Sequence, residues 1–298
     1  MRHDTFGDFH PLVGFSFYTF AILFGMIFNH PFCQLVSLIA SVLCAVQVCG
    51  KKAVSTLVKF ALPVFLLTVI INPAFSHGGV TRLCYLPGGN PLTLESIVYG
   101  VSAGTMFVTV IMWFCAFNAE FTSDKFIYVF GRIIPSLSLV ISMSLRFVPR
   151  FKKQLGEITV AQRCIGRDVS SGNLFRRLKI AVSILSIMVT WALQNAIETA
   201  DSMKSRGYGL RGRTAFSVYR FFDRDKLMLA WILFAGVFVA SGAICGAFEA
   251  VYFPSIYFTP PSNVFYVCFL VVYAATLLTP LIVNVMGEKR WKLLQSKI

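Results

Sequence analysis

The residues best suited to chemistry in this sequence form a basic helix end, Ser205, Arg206 and Gly207. Glycine adopts the left-handed conformation that ends a helix, so Gly207 is predicted to follow the last helical residue. Arg206 then lies in the last turn, where the helix dipole favours a cation. Its guanidinium presents a planar fork of donors that suits docking on a partner protein. Taken alone, the same residues also fit an ordinary helix stop without a partner.

A second basic stretch, residues 145–168, ends in a similar way. Gly166 is predicted to end its helix after Cys164 and Ile165, with Arg167 just beyond. Pro149 is predicted to lie in the first turn of this helix, where its missing N–H costs nothing. The helix that ends at Arg206 is predicted to begin after Asn173, a good N-cap residue, and to be about 50 Å long.

The two ends together resemble those of the T component (EcfT/CbiQ-like) of energy-coupling factor transporters, a class of ATP-driven ABC importers. The first match carries Ala161, Gln162, Gly166 and Asp168, and the second, closer match carries Ala200, Asp201, Met203, Ser205, Arg206, Gly207 and Tyr208. The first departs from the family at Ile165, where members usually have arginine.

This resemblance implies a transmembrane scaffold with two long cytoplasmic coupling helices. Each helix would dock on one of two ABC-type ATPases, and the membrane part would bind a small S component that captures a vitamin or a transition-metal ion. ATP-driven movement of the ATPases would change the angle between the coupling helices and reorient the S component. The implied ATPase interface is Ser205, Arg206 and Gly207 at one end and Cys164, Ile165, Gly166 and Arg167 at the other. Because Arg163 lies about 200° around the helix from Ile165, Arg167 is the better substitute for the missing arginine.

Two motifs for catalysis are absent from the sequence. It contains no GxxxxGK[ST] loop for ATP and no HExxH. Its eight cysteines and four histidines show no metal-ligand spacing. We therefore expect no cofactor, no metal site and no catalytic residue. Two alternatives remain open, a membrane-embedded lipid-modifying enzyme and the permease subunit of a conventional ABC importer.

Bulk composition indicates a multi-pass membrane protein. Hydrophobic residues make up 56% of the 298 residues, charged residues only 13%, and mean hydropathy is +0.72. A net charge of +14 would suggest nucleic acid as the partner of a soluble protein. In a membrane protein the positive-inside rule explains the same charge, so we expect a lipid bilayer and no nucleic acid.

The predicted fold is an all-α bundle of about six spans with long cytoplasmic helices. The spans are predicted at 12–28, 32–48, 54–71, 96–117, 227–247 and 264–285. The chain divides into an N-terminal transmembrane part (1–117), a cytoplasmic coupling-helix region (118–226) and a C-terminal transmembrane part with a basic tail (227–298). Residues 12 onward are predicted to form a retained span, and residues 1–11 a solvated tail.

Charge asymmetry predicts the orientation. Residues 118–226 contain 18 Lys and Arg against 8 Asp and Glu, which places them and both termini in the cytoplasm of a prokaryotic cell. Two apolar stretches inside this region, 126–145 and 180–197, are predicted to lie in or under the bilayer without crossing it. Crossing by both would place the basic residues between them outside.

Overall fold

The computed structural model describes residues 5–85, 91–131, 135–168, 170, 173–210, 219–259 and 264–296. The chain forms two compact units: unit 1, Met1–Phe126 with Tyr219–Ile298, and unit 2, Ile127–Val218. The described residues form nine helices: α1 (Pro11–Ile27), α2 (Pro31–Cys49), α3 (Lys51–Phe75, π-helical at Leu57–Ala61), α4 (Leu94–Glu120), α5 (Ser123–Gly131), α6 (Pro135–Cys164), α7 (Leu174–Ser205), α8 (Asp223–Ile244) and α9 (Val264–Gln295).

All six predicted spans are helices, namely α1, α2, α3, α4, α8 and α9. Five of them are long and apolar enough to cross a membrane. The first, α1, has 17 residues, so it extends about 26 Å, slightly less than a hydrocarbon core of about 30 Å. Helix α7 is also long and apolar enough to cross. That α7 does not cross therefore stays a prediction from the charge pattern.

Helix α4 is central to unit 1, because α1, α2 and α3 all pack against it. Helix α9 packs against α2 and α8. Trp113 of α4 is fully buried, with its ring edge-on to Phe17 and Tyr18 at centroid distances of 5.7 and 6.2 Å. Its indole N–H points to the Ser37 hydroxyl of α2 at 3.5 Å, which supplies the polar partner that a buried tryptophan requires.

Two glycines bring α3 close to α4. A Cβ atom at Gly104 would lie 2.8 Å from Cδ2 of Phe65, and one at Gly100 would lie 3.2 Å from Cβ of Asn72. Small residues four positions apart let two helices in a membrane approach closely enough for van der Waals packing. The rest of α3, including Phe60 and Ile70, is largely exposed.

Both long loops of unit 1 contain a short antiparallel hairpin that the sequence analysis missed. Strands β1 (Arg82–Tyr85) and β2 (Pro91–Thr93) pair in one loop, and β3 (Ala250–Val251) and β4 (Tyr257–Phe258) pair in the other. Strands of two to four residues are too short to give a recognisable alternation of apolar and polar residues.

A buried histidine joins the start of α2 to the second hairpin and to α9. His30 is fully buried, with Nε2 3.3 Å from the Thr259 carbonyl and Nδ1 3.0 Å from the Tyr266 hydroxyl. A carbonyl only accepts, so Nε2 carries the proton and Nδ1 accepts from Tyr266. Burial lowers the pKa of His30, and the Thr259 hydrogen bond partly offsets this effect.

Unit 2 contains α6 and α7, and one prediction about α6 is wrong. The helix begins at Pro135, so Pro149 lies in its interior and not in its first turn. Apolar residues at helical spacing, Leu139 and Met143, continue into the basic stretch, and one helix of 30 residues results. Helix α7 begins directly after Asn173, as predicted, although the Asn173 side chain makes no capping hydrogen bond.

Candidate functional site

The end of α6 has the backbone geometry that the glycine predicted. We call residues 164–167 tip 1. Gly166 has φ +78°, its N–H donates to the Arg163 carbonyl at 3.0 Å, and the Arg167 N–H donates to the Gln162 carbonyl at 2.9 Å. These two bonds form a Schellman motif, which satisfies carbonyl groups left unpaired at a helix end.

Of the two arginines at and beside tip 1, Arg163 forms an ion pair and Arg167 does not. Arg163 pairs with Asp168, with Nε 3.1 Å from Oδ2, and the Ser170 N–H donates to Oδ1 of Asp168 at 3.0 Å. Hydrogen bonds from Ser170 and, to a smaller extent, the nearby Arg163 lower the pKa of Asp168. Arg167 is exposed and forms no ion pair with any residue that the structure describes.

An apolar side chain also stands at the end of tip 1. Ile165 is 64% exposed, and Cys164 beside it is exposed as well. Burial of an exposed aliphatic side chain by a partner is favourable, so it would stabilise a complex formed at this helix end. Tip 1 therefore presents an apolar residue and one cation on a fixed backbone.

The end of α7 repeats the backbone motif with different side chains. We call residues 205–207 tip 2. Gly207 has φ +81°, its N–H donates to the Lys204 carbonyl at 2.9 Å, and the Tyr208 N–H donates to the Met203 carbonyl at 3.0 Å. Arg206 is exposed and has no acidic partner among the described residues. The Ser205 hydroxyl donates back to the Ser202 carbonyl at 2.9 Å, so it caps its own helix.

The two tips lie at opposite ends of one antiparallel helix pair. Trp191 of α7 contacts α6 through the Phe151 ring, 5.5 Å between centroids, and through the Arg150 guanidinium, 5.5 Å above its ring. Residues of α6 before Arg150 share a groove with residues of α7 after Trp191, so the helices run in opposite directions. Beyond this contact each helix continues for about 20 Å to its tip, at 1.5 Å per residue.

The N-terminal residues are part of the folded structure, so the prediction of a solvated tail is wrong for residues 5–10. Phe6 and His10 are buried, and the Phe6 N–H donates to Oδ1 of Asn284 in α9 at 2.7 Å. The signal in the sequence was the pair of aromatic residues Phe6 and Phe9, which a solvated tail does not require. Their burial depends on contacts with residues more than 200 positions away.

This N-terminal segment contacts the parts of unit 1 that lie next to its two chain boundaries with unit 2. Lys125, just before unit 2 begins, donates from Nζ to the Gly7 carbonyl at 2.7 Å. Arg224, just after unit 2 ends, donates to the Asp8 carbonyl at 3.2 Å, and its guanidinium lies 5.1 Å above the Phe9 ring. Residues 5–10 therefore fix the two points at which the chain leaves unit 1 and returns to it.

No group of three or more His, Cys, Asp or Glu side chains that could hold a metal ion occurs in the described part of the chain. The thiols of Cys49 and Cys115 lie close together, with sulfur atoms 3.6 Å apart. Both are free, and both lie in unit 1.

Comparison with known proteins gives a family. Residues 10–216, which include both tips, match the family model CbiQ, described as cobalt transport protein. The chain is 30% identical over 215 residues to energy-coupling factor transporter transmembrane protein EcfT 1 of Listeria monocytogenes, an alignment that covers 66% of this chain and 79% of that protein.

Two further relatives match over shorter regions. The EcfT proteins of Lacticaseibacillus paracasei and Lactobacillus helveticus are 34% and 36% identical over 112 and 106 residues. These alignments cover 37% and 35% of this chain, and 40% and 38% of the two relatives. The family model matches more than half of the chain, and the Listeria relative aligns over most of its own length. The chain therefore belongs to the CbiQ/EcfT family, the transmembrane T components of energy-coupling factor transporters.

Proposed function

We propose that this T component couples two ABC-type ATPases to a membrane-embedded S component through α6 and α7. The observation that carries this proposal is the pair of exposed tips with the same Schellman motif at opposite ends of one antiparallel helix pair. One rigid helix end in each of two directions gives each ATPase its own docking point. Membership of the family disfavours the alternatives of a lipid-modifying enzyme and of a conventional permease subunit.

The two tips would use different chemistry. Arg206 of tip 2 would enter an acidic or carbonyl-rich groove on one ATPase, because its guanidinium has no competing acid within the described chain. Tip 1 would dock mainly through burial of Ile165, with Arg167 as the cation that substitutes for the family arginine. Gly166 and Gly207 would let the partner backbones approach closely, since neither carries a side chain.

Movement of the ATPases would change the angle between α6 and α7. The helices touch where Phe151 meets Trp191, so this contact would act as the pivot of the pair. The membrane part of the chain would carry the movement to the S component, which would release a vitamin or a transition-metal ion inward. The chain itself would hydrolyse no ATP.

The proposed orientation places residues 118–226 and both termini in the cytoplasm. Two exposed native cysteines test it, Cys84 in β1 and Cys164 at tip 1. Two variants are needed, each with Cys84 or Cys164 as its single cysteine. A membrane-impermeant maleimide added to intact cells should label Cys84 and not Cys164. Labelling of Cys164 from outside would contradict the orientation and the docking of tip 1 on a cytoplasmic ATPase.

The direct test of the proposed function is assembly with the cognate ATPases. Co-expression should give a detergent-stable complex with one copy of this chain and two ATPase subunits, measured by native mass spectrometry. A variant with Arg206→Ala and Ile165→Asp should lose both ATPases. The matched variant Lys152→Ala with Lys153→Ala, on exposed positions of α6 away from the tips, should keep both. Retention of two ATPases by the double-tip variant would overturn the proposal.

A further inference from the structure

A groove of about 580 Å³ lies between the first half of α6 and the second half of α7. Its lining includes three arginines, Arg146 and Arg150 from α6 and Arg206 from α7. Glu198 is the one acidic side chain in the lining. The volume is within the range of small-molecule sites in proteins, about 300–1,000 Å³.

The charges in this groove are not balanced within the described chain. Glu198 accepts a hydrogen bond from the Gln194 side chain on its own helix at 3.2 Å, and no ion pair joins it to the arginines. The guanidinium of Arg150 lies over Trp191, and that of Arg146 lies 5.7 Å from the Phe147 ring centre. The aromatic rings hold the two cations in place without neutralising them.

The surroundings of the groove are amphipathic. Leu139 and Met143 line it beside the arginines. On the turns of α7 that precede the groove residues, a stripe of aliphatic side chains is exposed: Val182, Leu185, Val189 and Leu193. Helix α7 is also apolar enough to enter a bilayer. A ligand here can place an anion on the arginines and an apolar chain along α7.

We propose that this groove binds the phosphate-bearing headgroup of an anionic phospholipid. Arginine matches phosphate oxygens with two parallel hydrogen bonds, and three arginines against one glutamate leave the groove cationic. The aliphatic stripe on the preceding turns of α7 distinguishes a lipid from an acidic protein segment, because it gives acyl chains a surface to cover. Arg206 and Gly207 of tip 2 lie in the same lining, whereas Arg146 and Arg150 belong to no tip, so the test variants change only these two arginines.

The test is a titration of the full chain in detergent with dioctanoyl phosphatidylglycerol, followed by native mass spectrometry. Dioctanoyl phosphatidylcholine and glycerol 3-phosphate are the two comparison ligands. The variant Arg146→Gln with Arg150→Gln should weaken phosphatidylglycerol binding about thirtyfold, since each cation near an anionic headgroup contributes about fivefold. The variant Lys152→Gln with Lys153→Gln removes the same charge from the same helix outside the groove, and it should bind like the unmodified chain.

A third variant protects the test against a simple folding defect. Glu198→Gln removes the one acid of the groove, so it should tighten phosphatidylglycerol binding about fivefold. The proposal is overturned by equal losses in the groove variant and the lysine variant, or by no gain with Glu198→Gln. Binding of glycerol 3-phosphate as tightly as the lipid would show a site for free anions. If the variant Arg146→Gln with Arg150→Gln lost the ATPases and kept its lipid binding, the groove would be a protein-docking site. Either this result or equal binding of glycerol 3-phosphate would reject the lipid proposal.

Discussion

Replacement of Arg206 by alanine is the sharpest perturbation of tip 2. The side chain is exposed and has no ion pair with any described residue, and Gly207 fixes the backbone that carries it. Removal of the guanidinium therefore leaves the free chain almost unchanged. Any large effect must come from a contact that forms only in the assembled complex.

The magnitude follows from the contact proposed. Truncation of one partner of a buried charge pair at an interface costs about 2–5 kcal/mol, so Arg206→Ala should weaken ATPase binding at least about thirtyfold. Arg206→Lys keeps the charge and loses the planar fork of donors. Its ATPase binding should therefore be weaker than that of the unmodified chain and stronger than that of Arg206→Ala. Arg163→Ala removes an exposed ion pair with Asp168 within the chain, and it should change binding about fivefold at most.

The assay is equilibrium binding of each purified ATPase to the chain in nanodiscs, with substrate uptake in cells as a second readout. Membrane levels and melting temperatures of the variants must match those of the unmodified chain. Ile165→Asp should weaken binding of the other ATPase through loss of about 1.5–3 kcal/mol of apolar burial. If Arg206→Ala binds normally while Arg163→Ala does not, the assignment of both tips is wrong.

Three further predictions concern stability. Gly166→Ala should lower the free energy of unfolding by about 1–2 kcal/mol because φ is +78°, whereas Gly156→Ala inside α6 should raise it by about 0.5–1 kcal/mol; denaturant unfolding measures both. Lys125→Met should lower the melting temperature and increase hydrogen exchange at residues 5–10, because it removes a charged hydrogen bond to the N-terminal segment. Stability should fall as pH drops below about 6.5, because the buried His30 resists the proton that the unfolded chain takes up, and His30→Gln should remove this dependence in melting curves.

Each of these predictions has its own control. The two glycine variants control each other, and equal signs would show that backbone conformation does not decide the effect. Lys152→Met, at an exposed position of α6, should leave exchange at residues 5–10 unchanged. His77→Gln, in the loop between α3 and β1, should keep the pH dependence that His30→Gln loses. If stability depended on pH equally in both histidine variants, groups other than His30 would cause the dependence.

Much of the architecture follows from local sequence. Runs of about 20 apolar residues predicted six helical segments, since a bilayer leaves a chain few other ways to satisfy its backbone polar groups. The two helix ends were predictable for a related reason. Glycine alone adopts the left-handed conformation freely, so Gly166 and Gly207 marked the ends of α6 and α7 without any knowledge of the rest of the fold.

Other features were decided only by contacts between distant residues. Pro149 predicted a helix start, but α6 begins 14 residues earlier at Pro135 and continues through it. The sequence predicted a solvated N-terminal tail, but in the structure Asn284 and Lys125 form hydrogen bonds with the backbone of this segment. The antiparallel pairing of α6 and α7 is made by residues far apart in sequence, among them Trp191 with Phe151 and Arg150. Local sequence carries backbone preferences and hydropathy, whereas these features required knowing which distant residues meet.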